Sequence, residues 1–193
     1  MSKETKFACA IIDIPWPTHQ YGNYGAHKHY HLLPIPKIFE LPIPDLMAEN
    51  SHIYLWVTQA TIRTGYDLLK SWGYEVKSVF TYVKPRMGLG QYFRSATEFV
   101  LFSVRGKLPV LCKNQPNWGF YPRLDHSHKP EEFHQVVMRM SPGPYAEFFA
   151  RRKFPNWSVW GDEVEADFEV PGFPVPNSPE TRKKLELKGG ANA

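Results

Sequence analysis

The residues best placed for chemistry are Asp13-Ile-Pro-Trp16, which follow directly on the apolar run Phe7-Ala-Cys-Ala-Ile-Ile12. A run of this kind reads as a strand buried on both faces, as in a parallel sheet, and Pro15 and Pro17 end it. The C-terminal edge of such a strand is where ligands bind in open α/β sheets. A carboxylate there, beside a backbone carbonyl and an aromatic ring, has the parts needed to activate a planar amine. The exocyclic nitrogen of adenine is such an amine, a poor nucleophile because its lone pair is delocalised into the ring. If Asp13 and the Ile14 carbonyl both accept hydrogen bonds from it, the nitrogen is drawn toward tetrahedral geometry. Its lone pair is then free for in-line attack on a sulfonium methyl, with orientation and charge-assisted bonding carrying most of the catalysis. Trp16 would stack on the base, which in a duplex would first have to be flipped out. A structural reading stands beside this one, with Asp13 capping a turn and Trp16 filling the core.

The elements that would hold these residues alternate along the chain. His52-Ile-Tyr-Leu-Trp-Val-Thr58 has the composition of a second central strand, Glu75 to Lys84 of a third and Thr97 to Val104 of another. Short segments at Ile35 to Phe39 and Ile43 to Glu49 are punctuated by prolines, and Pro44-Asp45 suits the start of a helical turn. Ile62, Tyr66, Leu69 and Trp72 recur at helical spacing, and Gly73 ends that helix. The clearest helix runs from Pro130 to Arg139, with two acids at its start and Phe133, Val136, Val137 and Met140 on one face. Tyr145 to Ala150 and Trp157 to Trp160 read as the last strands. Tyr21 to His31 has the composition of an active-site lid, Pro85 to Gly90 is a glycine-containing loop, and Lys107 to His128 is irregular throughout. This alternation predicts an α/β sandwich around a mainly parallel sheet over residues 1–164. Residues 165–193, Pro-rich and then charged, are expected to form an extended or disordered tail.

The 193 residues, 42% hydrophobic and 15% aromatic, suffice for one substantial core but not two. No stretch approaches the roughly 20 apolar residues of a membrane span, and Met1 to Phe7 lacks a secretory core, so a soluble, cytoplasmic protein is expected. Cys9 and Cys112 alone exclude a disulfide framework or a four-thiolate metal site and fit a reducing compartment. The net charge of +4 attracts polyanions weakly. Basic residues gather at Lys84 to Arg94, Arg105 to Lys107 and Arg151 to Lys153. They would contact phosphates if the fold brought them to one face, and are otherwise solvated loop tips.

The tetrapeptide is the first of an ordered set of segments. It is followed by His29-Tyr30, Ser51 to Thr58, Ser71-Trp-Gly-Tyr74, Tyr82-Val-Lys84 and Gly90 to Glu98. The order continues through Ser127-His-Lys-Pro-Glu131, Ser141-Pro-Gly143, Glu147-Phe-Phe-Ala-Arg151, Asn156-Trp157 and Trp160-Gly161. From about residue 8 to residue 164 this series resembles the MT-A70 family, which includes the catalytic subunit of the eukaryotic messenger-RNA adenine methyltransferase and many small bacterial and phage proteins. The resemblance implies a Rossmann-like methyltransferase sandwich of the permuted, beta-class motif order, with S-adenosyl-L-methionine as cofactor. It implies methyl transfer to the N6 amine of adenine. DNA is the expected acceptor, because small members of this kind look like modification enzymes; RNA, or a catalytically silent nucleic-acid-binding subunit, are the alternatives. A homodimer or a paired subunit would suit the family.

By the same resemblance, Asp13, Ile14, Pro15 and Trp16 would be catalytic. Ile12, Asp13, Lys129, Arg151, Arg152, Asn156, Asp162 and Glu163 would bind the cofactor, with Lys129 on its carboxylate and the two arginines near its ribose. Tyr30, Lys84, Arg94 and Glu98 would contact the acceptor. The sequence departs from the family pattern at Ile14, where proline is usual, and at Asp162-Glu163, where an amide is common. His27, His29 and His31 alternate along the lid, but no thiol or acid beside them completes a zinc site, so no metal is expected. Chelators should therefore leave methyl transfer unchanged in a side-by-side assay, and inhibition would revive a histidine–metal centre.

Overall fold

The computed structural model describes residues 6–17, 32–88, 92–121 and 129–174. The expected lid, with Tyr30 and the three alternating histidines, lies outside the described residues, as does the chain beyond residue 174. The elements are β1 (Phe7–Ile12), α1 (Ile35–Phe39), α2 (Ile43–Leu46), β2 (Met47–Val57), α3 (Ile62–Ser71), β3 (Glu75–Val83) and β4 (Thr97–Arg105). They continue with β5 (Trp118–Phe120), α4 (Glu132–Met140), β6 (Tyr145–Phe148) and β7 (Trp157–Trp160). No described helix is long and apolar enough to cross a membrane.

Seven strands form one sheet in the order β5-β3-β4-β2-β1-β6-β7. β1 pairs in parallel with β2 on one side and β6 on the other, and β6 with β7. β4 alone runs against its neighbours, β2 and β3, while β5 joins the outer edge of β3 in parallel. The expected mainly parallel sheet is therefore present. β1 is central, and its near-continuous apolar sequence follows from burial on both faces. Ala10 and Ile12 face a core built with Ile38, Ile43, Leu68, Leu69 and Trp72 from the helical segments of one layer. Cys9 and Ile11 face the other core, with Phe133, Val136 and Val137 of α4.

Several local expectations are corrected. β2 begins five residues earlier than His52, because Met47 pairs with Phe7 before the polar Glu49-Asn50 leads into the buried stretch. In α3 the buried stripe is Gly65, Leu68 and Leu69, while Tyr66 is exposed. Gly65 lets this helix lie close to the sheet, since a Cβ there would sit 2.7 Å from Val57 Cγ1. The irregular region after Lys107 contains β5, a strand of three residues. Residues 165–174 form no helix or strand, yet they dock on the core: Phe168 packs on Phe7 and Phe148, and Val170 is buried. Asp167 accepts from the Val159 amide at 3.0 Å, tying this segment to β7.

A buried polar network joins β2 to the segments on the α4 side. His52 Nε2 donates to the Leu108 carbonyl at 2.9 Å, which leaves Nδ1 to accept from the Ser141 hydroxyl at 2.7 Å. Tyr54 donates to Ser141 in turn, also at 2.7 Å. Burial holds the His52 imidazole below its ordinary pKa and therefore neutral, against the opposing effect of its bond to Leu108. Ser141→Ala would leave both His52 Nδ1 and the Tyr54 hydroxyl short of a partner. We expect it to cost about 1–3 kcal/mol of unfolding free energy, read from urea midpoints with an unchanged far-UV spectrum.

Candidate active site

β1, β6 and β7 run in the same direction and end at one edge of the sheet. From β1 the chain goes to β2 on one side and later returns to β6 on the other, so the strand order reverses between β1 and β6. This is the topological switch point at which open α/β sheets bind ligands. The two strand tips are locked together there, since the Asp13 amide donates to the Phe148 carbonyl at 3.3 Å. Immediately beyond, Phe149 adopts a left-handed φ of 64°, a strained conformation for a bulky residue. That reversal aims the Ala150 amide at the Trp160 carbonyl, 2.9 Å away. Gly161 passes so close to this corner that a Cβ on it would lie 2.0 Å from the Ala150 oxygen, a backbone clash that no other residue avoids. The corner leaves an open cleft lined by Asp13, Pro15, Phe149, Ala150, Arg151, Asp162 and Glu163.

Behind the cleft, four side chains form a row of alternating charges. Lys129 Nζ lies 3.2 Å from Asp13 Oδ1 and 2.8 Å from Glu98 Oε2, and Lys84 Nζ lies 2.6 Å from Glu98 Oε1. All four side chains are at least three-quarters buried, which makes each pairing matter more than a surface ion pair. Lys129 also sits over the Trp56 ring, 4.9 Å from its centroid. Burial raises the Asp13 pKa, the negative charge of Glu98 adds to the rise, and Lys129 and Arg151 oppose it. Burial would raise Glu98 too, but the ammonium groups of Lys129 and Lys84 outweigh it and hold that carboxyl at about 2. Burial would lower the Lys129 pKa, but the carboxylates of Asp13 and Glu98 outweigh it and keep it above its usual range. Arg152 holds the Lys129 backbone in place, donating to its carbonyl at 3.3 Å while pairing with Glu131 at 2.8 Å.

The structure thus gathers Asp13, Pro15, Arg151, Asp162 and Glu163 at the cleft, with Lys129, Glu98 and Lys84 in the charge row beside it. Arg151 approaches Glu163 to 3.6 Å. Ile14 is buried in the core, and its carbonyl accepts the Trp16 amide at 2.9 Å. Other expected site residues are placed elsewhere. Trp16 is only 6% exposed and donates its indole N–H to the Trp56 carbonyl at 3.1 Å, so its ring fills the core and leaves no broad face for stacking on a base. Ile12 is fully buried beneath the cleft rather than lining it. Asn156 lies at the opposite edge of the sheet, just before β7 starts, where its φ of 69° makes the turn. Arg94 is exposed in the β3–β4 connection. Among the cleft residues, Phe149 and Ala150 fall in the Glu147 to Arg151 segment of the resemblance, which gave them no role of their own.

The basic clusters also separate. Arg105 turns inward, one guanidinium nitrogen donating to the carbonyls of Pro44, Met47 and Ala48 at 2.9–3.1 Å, over the Tyr74 ring. Arg151, Arg152 and Lys153 each face a carboxylate. No group of three or more potential metal ligands occurs among the described residues.

Sheet order, switch point and cleft define a Rossmann-like α/β domain in which the strand bearing Asp13 precedes, in sequence, the strands β6 and β7 that build the corner of the cleft. The chain belongs to the MT-A70 family, whose profile matches residues 7–163. It is 31% identical over 152 residues to the type II methyltransferase M.MunI of Mycoplasma sp, an alignment covering 76% of this chain and 65% of that one. It is 30% identical over 181 residues to the human N(6)-adenosine-methyltransferase catalytic subunit METTL3, covering 83% of this chain and 28% of the relative. The human N(6)-adenine-specific methyltransferase METTL4 is 27% identical over 180 residues, covering 82% and 37%. The chain therefore spans less than two thirds of the length of each of these relatives.

The depressed pKa of Glu98 has a defined consequence. In the unfolded chain this group takes up its proton near 4.5, in the folded protein near 2, so its contribution is complete above 4.5 and is lost as pH falls toward 2. Asp13, with its pKa raised, acts in the opposite sense. Urea midpoints at pH 5 and pH 3 should drop more steeply for the wild type than for Glu98→Gln. Parallel pH profiles would show that the Lys84–Glu98–Lys129 pairing does not stabilise the fold.

Proposed function

We propose that this chain transfers a methyl group from S-adenosylmethionine to the exocyclic N6 amine of adenine in DNA, in the cytoplasm. The observation that carries the reading is the Asp13 carboxylate at the tip of β1, on the wall of the switch-point cleft, with the Ile14 carbonyl next to it in the chain. The Ile14 oxygen uses one lone pair on the Trp16 amide, and a carbonyl has two. Ile14 in place of proline costs nothing here, because only its backbone oxygen is needed. Together the two acceptors orient a planar amine and localise its lone pair. Burial raises the Asp13 pKa, and Lys129, 3.2 Å from Oδ1, opposes that rise and so favours the carboxylate form that accepts hydrogen bonds. The other carboxylate oxygen, Oδ2, is the place for the proton that the nitrogen sheds.

The cleft fits the donor by its chemistry. Asp162 and Glu163 are exposed acceptors for hydroxyl and amino groups, Arg151 is a cationic donor, and Phe149 and Ala150 give an apolar wall. The sequence has no glycine-rich phosphate loop, in keeping with a ligand that carries no phosphate. Bound there, S-adenosylmethionine supplies an electrophilic methyl group on a positively charged sulfur. Lys129 has already engaged two carboxylates, so its third N–H is what remains for the carboxylate of the donor. The adenine-specific names of the human relatives support the acceptor atom. Among the relatives compared, the one of which this chain covers the largest share is a type II methyltransferase.

The test is transfer of labelled methyl to duplex DNA, single-stranded DNA and RNA in parallel, followed by nucleoside analysis. We expect N6-methyladenine in DNA, and a loss of roughly 100-fold or more for Asp13→Ala with the fold intact. Product in RNA alone would move the acceptor. No transfer to any of the three despite measurable binding of S-adenosylmethionine would overturn the proposal.

A further inference from the structure

Far along the sheet from the cleft, β5 forms the outer edge and presents two large rings to solvent. Trp118 and Phe120 are each 59% exposed. They pair with Thr81 and Val83 of β3, so alternation sends both rings to one face, while Gly119 between them lies under Tyr121 on the other. Phe120 is in register with Val83, the residue before Lys84 of the charge row. The connection from β3 to β4 adds Met87, Tyr92 and Phe93, exposed by 70%, 90% and 92%. Arg86 and Arg94 are exposed in the same connection and pair with no described carboxylate. β3 and β5 run parallel to β1, so this connection and the Phe120 end of β5 emerge at the edge of the sheet that carries Asp13.

Burying such rings inside the protein would have been the simplest use of them, yet five large hydrophobic side chains remain in water beside two cations. Charge decides what fits. Residues 85–97 and 108–121 contain Arg86, Arg94 and Lys113 and not one Asp or Glu. Two copies of this surface brought face to face would repel each other, whereas a polyanion carrying flat rings satisfies both halves of it. Exposed aromatic rings with interleaved cations are how proteins hold single-stranded nucleic acid, base on ring and phosphate on cation. β5 lies four strand spacings from β1, about 19 Å at roughly 4.8 Å each. The two rings lie on the α3 face of the sheet and the Asp13 row on the α4 face, so a strand whose target adenine sits at Asp13 reaches β5 over the strand-tip edge, with nucleotides several positions away.

We infer that Trp118 and Phe120 of β5, with Arg86 and Arg94 of the β3–β4 connection, form a platform on which unpaired bases flanking the target adenine stack. The inference rests on the nucleic-acid reading of the site and adds where the acceptor strand runs. The platform is sequence-tolerant, because every base has a stacking face. It contributes to affinity for the strand rather than to the methyl-transfer step, and only for acceptors long enough to span the distance from the cleft.

The test compares wild type with Trp118→Ala/Phe120→Ala and with Trp118→Phe/Phe120→Tyr on single-stranded oligonucleotides holding one adenine and progressively longer flanks. Anisotropy of a labelled strand reads affinity, and calorimetry reads S-adenosylmethionine binding. For long flanks the alanine pair should raise Kd by at least on the order of 10-fold, the aromatic pair should stay near wild type, and strands too short to reach β5 should bind all three equally. Binding of S-adenosylmethionine should not change. Equal affinity of wild type and alanine pair for long strands would overturn the platform, as would an equal loss for short and long ones. A loss of self-association in sedimentation without loss of strand affinity would also overturn it, assigning the face to a second copy. If the alanine pair fails to fold, photocrosslinking of halogenated uracil placed along the flank of a wild-type complex decides the matter: adducts on β5 support the platform and adducts confined elsewhere exclude it. Absence of methyl transfer by the wild type would instead strike at the proposed function, so the two failures are distinguishable.

Discussion

A carboxylate at the tip of a central strand, with apolar layers on both sides, is disfavoured as an anion, and a nearby cation offsets that penalty. In this protein that cation is Lys129, and the need to bring it to Asp13 organises much of the molecule. Lys129 comes from the segment before α4, on the far side of the sheet from α3, and its backbone is pinned by Arg152 from the end of β6. Glu98, at the start of β4, balances the excess positive charge, and Lys84, at the end of β3, balances Glu98 in turn. Four chain segments well separated in sequence thus converge through three ion pairs. Removing any inner member would leave an uncompensated charge in a dry setting, a larger effect than the pairing itself contributes.

The corner opposite this row obeys a steric constraint. β6 must turn sharply at Phe149 to keep its backbone bonded to the end of β7, and the turn is possible only because Gly161 has no side chain where Ala150 passes. The cleft is the space left between the electrostatic row and this corner. Asp13 belongs to both, which is why one residue can face a ligand and still be held by the protein.

The sequence made the central strands plain because apolar runs such as Phe7–Ile12 can only be buried on both faces, and α4 because its apolar spacing leaves one face for the sheet. Asp13 was legible for the same reason, as the first charged residue after a buried run. What was not legible depends on contacts distant in sequence. Nothing in Glu98 or Lys129 alone shows that they meet, and nothing in Arg105 shows that it satisfies three backbone carbonyls instead of a phosphate. β5 escaped notice because Trp-Gly-Phe is too short for a pattern and is ordered by pairing with β3. Trp16 had two readings open to it, and packing chose the core. Asn156 resembled a ligand contact until the direction of β7 put it at the wrong end of the strand.

β4, the one strand that runs against the others, has an architectural consequence. Inserted between β2 and β3, it makes the β3–β4 connection return to the edge from which it left, its two feet joined by the Lys84–Glu98 ion pair and by the Lys84 amide donating to the Ala96 carbonyl. A loop anchored in this way can be lengthened, shortened or exchanged without altering any strand register or either core. The fold therefore leaves the outer part of this connection free to vary in length and composition while the ion-pair row and both cores stay as they are.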